Sequence, residues 1–236
     1  MKITHILTPV VSSILFASLN SCDYTTPSNY TAPPMPGVGS KATTSKSLSS
    51  SNRSLRPTVS FPARIAFARV KTTSGNTLYF DNNRDLETPE HAKIISSLPH
   101  ISGVANIHSS YLESNHTSYA ELRKAARRIG STMLAVYQVN TSSRTTNGST
   151  LLSVATLGAA PTNGHKATAT ISLIFMDAKT GYIYGIMEER ATSGSLSTSW
   201  GNYDANKNAE HKANTKAFDK LIKRLPQFWP TVYSKR

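Results

Sequence analysis

Residues 119–139 read YAELRKAARRIGSTMLAVYQV, and this stretch decides the fold. Tyr119, Leu122, Ala125, Ala126 and Ile129 recur at three- and four-residue spacings and so share one face of a helix, with Arg123, Lys124, Arg127 and Arg128 on the rest. Ser118 stands at the N-cap position with Glu121 three residues on, the spacing of a capping box, and Gly130 ends the helix. Basic side chains in the last turn oppose the negative end of the helix dipole. Past Gly130 the helical period gives way to a continuous apolar run, Met133 to Val139, which predicts a buried strand.

Reading upstream, Ala63, Ile65, Ala66, Phe67, Ala68 and Val70 form an apolar run that predicts a first strand. A loop at Asp81-Asn82-Asn83 follows. Pro89 then opens a short helix through Ile94, Ile95 and Leu98, and Pro99 stops it. Ile101 to Ile107 predicts a second strand. Strand, helix, strand, helix and strand in this order predict two crossover units and a parallel core.

Downstream the pattern becomes antiparallel. Lys166 to Met176 alternates, with Ala167, Ala169, Ile171, Leu173 and Phe175 on one side. Asp177-Ala178-Lys179-Thr180-Gly181 supplies the turn, Asp177 by bonding backbone N–H groups and Gly181 by accepting a positive φ, and Tyr182 to Glu189 returns. Leu151 to Leu157 predicts a strand or part of a flap. Thr192 to Thr198, rich in Gly, Ser and Thr, predicts a mobile segment. The last helix is expected from about Ala205 to Leu225, its stripe formed by Ala213, Ala217, Phe218, Leu221, Ile222 and Leu225, with Pro226 as terminator. Phe228 and Trp229 are expected to pack over the sheet. The fold class is α/β: a mixed sheet with a parallel βαβαβ start, an antiparallel hairpin and a C-terminal helix, in one domain over 61–236.

The N-terminal quarter differs in composition. Lys2 precedes an apolar stretch from Ile6 to Leu19, too short for a stable transmembrane helix, which ends in Leu19-Asn20-Ser21-Cys22. From Asp23 to Ser60 the chain is rich in Ser, Thr and Pro, a composition that cannot bury enough apolar area to offset its ordering entropy. The expected organisation is a leader at 1–21, a flexible linker at 22–60 and the α/β domain. As a random coil the linker would span roughly 35 Å.

Leu19-Asn20-Ser21-Cys22 resembles the lipobox of bacterial lipoproteins. The resemblance implies that Cys22, the single cysteine, carries a diacylglycerol thioether and, after cleavage, an N-acyl chain. Two or three chains give stable anchoring in a lipid bilayer. Asp23 resembles the inner-membrane retention signal of enterobacterial lipoproteins, a rule that varies between bacterial groups, so cell membrane and outer membrane both stay open. From Tyr119 onward, the helix, the strand, an insertion and the hairpin around Asp177-x-x-Thr180-Gly181 together resemble the rhombotarget lipoproteins and, more loosely, the domains typified by CsgG and the N-terminal domain of TolB. That resemblance implies a mixed sheet flanked by helices, with no known catalytic residues.

Charge and chemistry narrow the function. The formal charge is +13, and losing Lys2 with the leader leaves 25 basic against 13 acidic residues, +12. Such an excess attracts anionic lipid, acidic envelope polymers or nucleic acid, and export removes nucleic acid from consideration. One cysteine excludes an internal disulfide. There is no Gly-x-Ser-x-Gly elbow, phosphate loop or HExxH pattern, and Glu188 and Glu189 fall on opposite faces of a strand. The histidines at 91, 100, 108, 116, 165 and 211 are expected at the surface, with no metal or other cofactor beyond the acyl chains. The leading expectation is a non-enzymatic envelope lipoprotein that binds or helps assemble a protein partner. An oligomeric CsgG-like secretion component and an enzyme acting on envelope polymers are the alternatives.

Overall fold

The computed structural model describes residues 55–73, 78–114, 116–146, 163–198 and 202–235. The strand expected at Leu151 to Leu157 lies outside them. The strands are β1 (Ala63–Thr72), β2 (Leu78–Phe80), β3 (Ile101–Asn106), β4 (His116–Thr117), β5 (Met133–Thr146), β6 (Asn163–Asp177) and β7 (Ile183–Ser197). The helices are α1 (Pro89–Ser96), α2 (Tyr119–Arg128) and α3 (Asn202–Tyr233).

The fold class read from the sequence is the fold observed. β1 pairs in parallel with β3 on one edge and with β5 on the other, Ile65 to Val70 matching Met133 to Gln138. β5, β6 and β7 then form an antiparallel meander, and the sheet runs β4-β2-β1-β5-β6-β7 with β3 beside β1. Strand alternation gives the sheet two apolar faces. Ile65, Phe67, Met133, Ala135, Ile171 and Leu173 face α1 and α3, whereas Ala66, Ala68, Leu134, Val136, Ile174 and Met176 face α2.

The end of β7 and the end of the last helix depart from the expected boundaries. The segment Thr192–Thr198, expected to be mobile, continues β7 as far as Ser197, because Thr192 to Ser197 pair in register with Thr168 to Asn163. Gly194 weakens a strand, and the neighbouring strand overrides that weakness. Pro226 does not end the last helix, which runs through both Pro226 and Pro230 to Tyr233. Both prolines are exposed, so the carbonyls they leave unpaired can turn to water, while the buried Leu225, Trp229 and Val232 hold the helix to the sheet. The capping box also moves. Ser118 caps α2 as read, but the Glu121 side chain accepts from Glu113 N at 2.8 Å, and the reciprocal box is Thr88 with His91 at the start of α1.

Gly185 lies where α3 crosses β7. A Cβ there would stand 2.6 Å from Phe228 Cζ, and that ring is backed by Phe175 at 6.5 Å between centroids. Gly185→Ala is therefore expected to cost about 1–3 kcal/mol by overpacking. Urea unfolding would show it as a lowered midpoint at constant slope. An unchanged midpoint would mean that Phe228 moves freely.

Candidate functional site

Two features set this domain apart from a plain α/β core: the way the chain is pinned as it enters, and a half of the sheet that no helix among the described residues covers on one face. The first is built on Asp177. Its Oδ1 accepts from Lys179 N at 2.8 Å and Thr180 N at 3.0 Å, and Gly181, at φ +79°, closes the turn by donating to Asp177 O at 2.9 Å. These are the turn roles read from the sequence. The sequence reading missed Oδ2, which accepts from both Thr58 N at 2.7 Å and Thr58 Oγ1 at 2.8 Å. Beside it Thr180 Oγ1 donates to Arg56 O at 2.9 Å.

A local irregularity completes the clamp. Phe175 pairs with Gly185 and Met176 with Ile183, so Tyr184 is the extra residue of a β-bulge. The bulge turns the Tyr184 ring into the core, where its hydroxyl donates to Asp177 Oδ2 at 3.3 Å and accepts from Val59 N at 3.1 Å. Val59 is itself buried at 6% exposure, inside a stretch whose composition reads as linker. Burial opposes the charge on Asp177, but the hydrogen bonds from Thr180, Thr58 and Lys179 outweigh it and hold its carboxyl below the ordinary value. Tyr184 is pushed up to about 12, first by burial and then by the charge of Asp177, so its hydroxyl stays protonated. The sequence signal was weak: Val59 and Phe61 interrupt a polar stretch, and a turn aspartate has a second oxygen to spend.

The second feature lies at the other end of the sheet. The 15 residues of β6 cover roughly 45 Å at strand rise, and α2 packs over only the half nearest Asp177. Over the distal half, α3 covers one face through small residues, Ala209 and Ala213 against Ala167 and Ala169, with Thr141 donating to Asn214 at 2.6 Å and Ser143 to Glu210 at 2.9 Å. The opposite face carries Asn140, Ser142, Arg144, Lys166, Thr168, Thr170, Arg190 and Thr192 in adjacent register. A groove of about 510 Å³ runs there, lined by Lys71, Asn140, Ser142, Thr170 and Arg190 among others. Arg144, Lys166 and Arg190 are exposed and form no ion pair among the described residues. The face offers hydrogen-bond donors and positive charge to whatever meets it.

The histidines correct the surface expectation in two cases. His91 is buried, its Nε2 2.7 Å from Asp219 and its ring against Phe218, which makes it a core strut between α1 and α3. His165 is 3% exposed, with Nε2 2.8 Å from Ser197 Oγ and Nδ1 3.2 Å from Thr145 Oγ1. The Ser197–His165 distance suits a nucleophile and its base, and Nδ1 meets the Thr145 hydroxyl where a Ser-His-Asp triad has a carboxylate. The trio ties β5, β6 and β7 together. Among the described residues no group of three His, Cys, Asp or Glu side chains could hold a metal ion. Cys22, Leu19, Asn20, Ser21 and Asp23 lie outside the described residues.

No protein-family model matches the chain, and no curated protein does. Solved structures with some likeness include the C-terminal domain of LpoB from Salmonella enterica, 10% identical, covering 61% of this chain and 90% of that one at a TM-score of 0.32. A Xanthomonas campestris protein is 10% identical over 76% of this chain and 95% of its own, at a TM-score of 0.33. A Chlamydia trachomatis protein is 10% identical over 70% and 96%, at 0.32. At these scores the likeness assigns no function.

Proposed function

We propose that this chain is a lipid-anchored, non-enzymatic protein of the bacterial cell envelope, whose α/β domain binds an envelope protein partner through the distal face of β5, β6 and β7 that no described helix covers. The observation that carries the reading is the polarity of the domain. The inbound chain is bolted at one end of the sheet by Thr58 on Asp177, and the bare, donor-rich face lies toward the other end. A tether through Cys22 at the first end leaves the second end free to meet a partner. Confinement to a membrane raises the effective concentration of the domain against its neighbours. The lipobox pattern at Leu19 to Cys22 and the linker composition after it support the anchor.

Two measurements test the two halves. Expressed in a bacterium with lipoprotein-processing enzymes, the wild type is expected to gain an acyl-sized mass increment and to sediment with membranes, and Cys22→Ala to lose both. A soluble, unmodified wild type would remove the anchor. For the partner, Lys166→Glu with Arg190→Glu is expected to cut recovery of crosslinked envelope protein roughly tenfold, since reversing charge at a contact face removes attraction and adds repulsion. Equal recovery would move the partner away from this face.

A further inference from the structure

β7 is an outermost strand of the sheet, and the register fixes which of its backbone groups face outward. Asp177 N donates to Tyr182 O at 2.8 Å and Ala178 N to Thr132 O at 3.0 Å, so along β6 the odd-numbered residues turn their backbone groups toward β7 and the even-numbered ones toward β5. Beyond the bulge at Tyr184, β6 and β7 pair odd with odd. The even-numbered residues of β7 therefore direct both N–H and C=O to the side where no described strand lies. Arg190 O agrees with this direction, because it accepts from Lys220 Nζ of α3 at 3.4 Å, and Lys235 Nζ likewise donates to Tyr184 O at 2.8 Å. Lysines at a sheet edge guard it against pairing with other chains. Toward the distal end that guard is missing. Among the described residues no group bonds the outward N–H and C=O of Thr192, Gly194 or Leu196, and all three residues are exposed.

The surface beside this stretch is shaped for side chains as well. The register sets Gly194 opposite Lys166 and Leu196 opposite Gly164. The two glycines leave a hollow on the bare face, with Leu196, 73% exposed, at its rim. A groove of about 560 Å³ runs there, lined by Lys166, Lys216 and the run from Thr192 to Leu196 among others, and no carboxylate among the described residues lines it. On the α3 side of the edge, Lys216 lies one helical turn before Lys220, and both are exposed with no ion pair among the described residues. The acids of β7 itself are engaged, Glu188 by Ser172 and Glu189 by Arg224. The distal edge thus offers backbone pairing, a hollow for apolar side chains on one side and two ammonium groups on the other.

We propose that residues 192–196 of β7 receive an extended, acidic segment of another protein as an added strand, with its apolar side chains over Gly194 against Leu196 and its alternating carboxylates toward Lys216 and Lys220. Main-chain hydrogen bonds supply the attachment, and the alternating side chains supply the selectivity. Charge decides the occupant. A chain of formal charge +13 repels a second copy of itself, whereas an acidic strand finds lysines on both sides of the edge. The proposal rests on the partner-binding reading above and gives it a mode, since the added strand lies alongside the donor-rich face.

The test is residue-resolved amide hydrogen exchange on the full chain in neutral detergent, with a blocked peptide of alternating glutamate and valine as probe and one of alternating lysine and valine as control. With the glutamate peptide, exchange is expected to slow about tenfold at Thr192, Gly194 and Leu196 and to stay unchanged at Ser193 and Ser195, whose N–H groups already face β6. Thr192→Pro removes one outward N–H, which an edge strand tolerates on its open side, and should abolish the slowing at Gly194 and Leu196. Lys216→Glu with Lys220→Glu should abolish it too, with every backbone group left in place. Slowing at odd and even positions alike would lay the peptide flat on the face and overturn the edge. Equal slowing by the lysine peptide would overturn the acidic chemistry. Protection of the three outward amides without any peptide would also overturn the proposal, giving the edge to a second copy if it fades on dilution and to another part of this chain if it does not. Crosslinking separates this site from the face beside it: recovery that falls with Lys166→Glu and Arg190→Glu but not with Thr192→Pro sinks the edge and keeps the face, and the reverse pattern keeps the edge and moves the partner off the face.

Discussion

Replacing Trp229 by alanine is expected to destabilise the domain by about 3–5 kcal/mol, a large part of the ~5–15 kcal/mol that holds a typical domain together. The side chain is fully buried. Its ring meets Phe61 at 6.3 Å, Phe175 at 5.5 Å and Tyr233 at 6.5 Å between centroids. Its Nε1 donates to Pro99 O at 2.7 Å, so one residue joins α3, β6, the loop before β3 and the inbound segment. Truncation opens a cavity that four separate pieces of chain would have to fill together, and it leaves a carbonyl without its donor. Trp229→Phe keeps most of the ring contact and isolates the second loss, expected at about 1–3 kcal/mol. Chemical denaturation reads both. A loss below about 1 kcal/mol for the alanine variant would mean that the helix beyond Pro226 is not part of the cooperative unit.

Asp177→Ala is expected to cost about 3 kcal/mol and to free the segment before Phe61. Hydrogen bonds to a charged acceptor contribute more than neutral ones, and here the turn and the inbound chain draw on the same carboxylate. Asp177→Asn separates the two uses. An amide oxygen can still serve Lys179 N and Thr180 N, but the amide nitrogen would then face Thr58 N as donor against donor. The turn should survive and the clamp should not. Hydrogen exchange at Thr58 and Val59 measures the clamp directly, and retained protection in the asparagine variant would reassign it to Val59 packing and the bond to Tyr184.

The same carboxylate sets a pH dependence. Its folded pKa lies below the ordinary value, so the unfolded chain binds the proton more readily, and stability rises with pH across that window. The clamp contributes in full above about pH 4, the ordinary aspartate range, and is lost as pH falls through the lower folded value. Protection of Thr58 and Val59 should be the same at neutral and mildly acidic pH and collapse only below that range. Loss already at mildly acidic pH would show that Asp177 is not the titrating group.

The sequence alone determined the order and type of the main elements. Residues 119–139 carry a 3.6-residue period that breaks into a continuous apolar run, and residues 166–173 alternate polar with apolar before a wholly apolar 173–176. Those periods report which face of each element is buried, and that is a local property of side-chain order. The asymmetry between the bare and covered faces of the distal sheet is already present in the Thr, Ser and Lys that alternate with Ala167, Ala169 and Ile171.

What only the tertiary structure decided is where elements stop and which distant groups meet. Thr192–Ser197 has the composition of a loop, but it extends β7 because β6 offers a paired edge. Pro226 is a local helix breaker, but it is overruled by Leu225, Trp229 and Val232 beneath it. Thr58 and Asp177 are separated by 119 residues, so the clamp could not be read along the chain. Local propensities amount to tenths of a kcal/mol for most residues and about 3 kcal/mol for a proline inside a helix, whereas burying one large side chain contributes about 1.5–3 kcal/mol, so Leu225, Trp229 and Val232 together outweigh Pro226. Burial set the outcome at Pro226, and pairing with β6 set it at Thr192–Ser197.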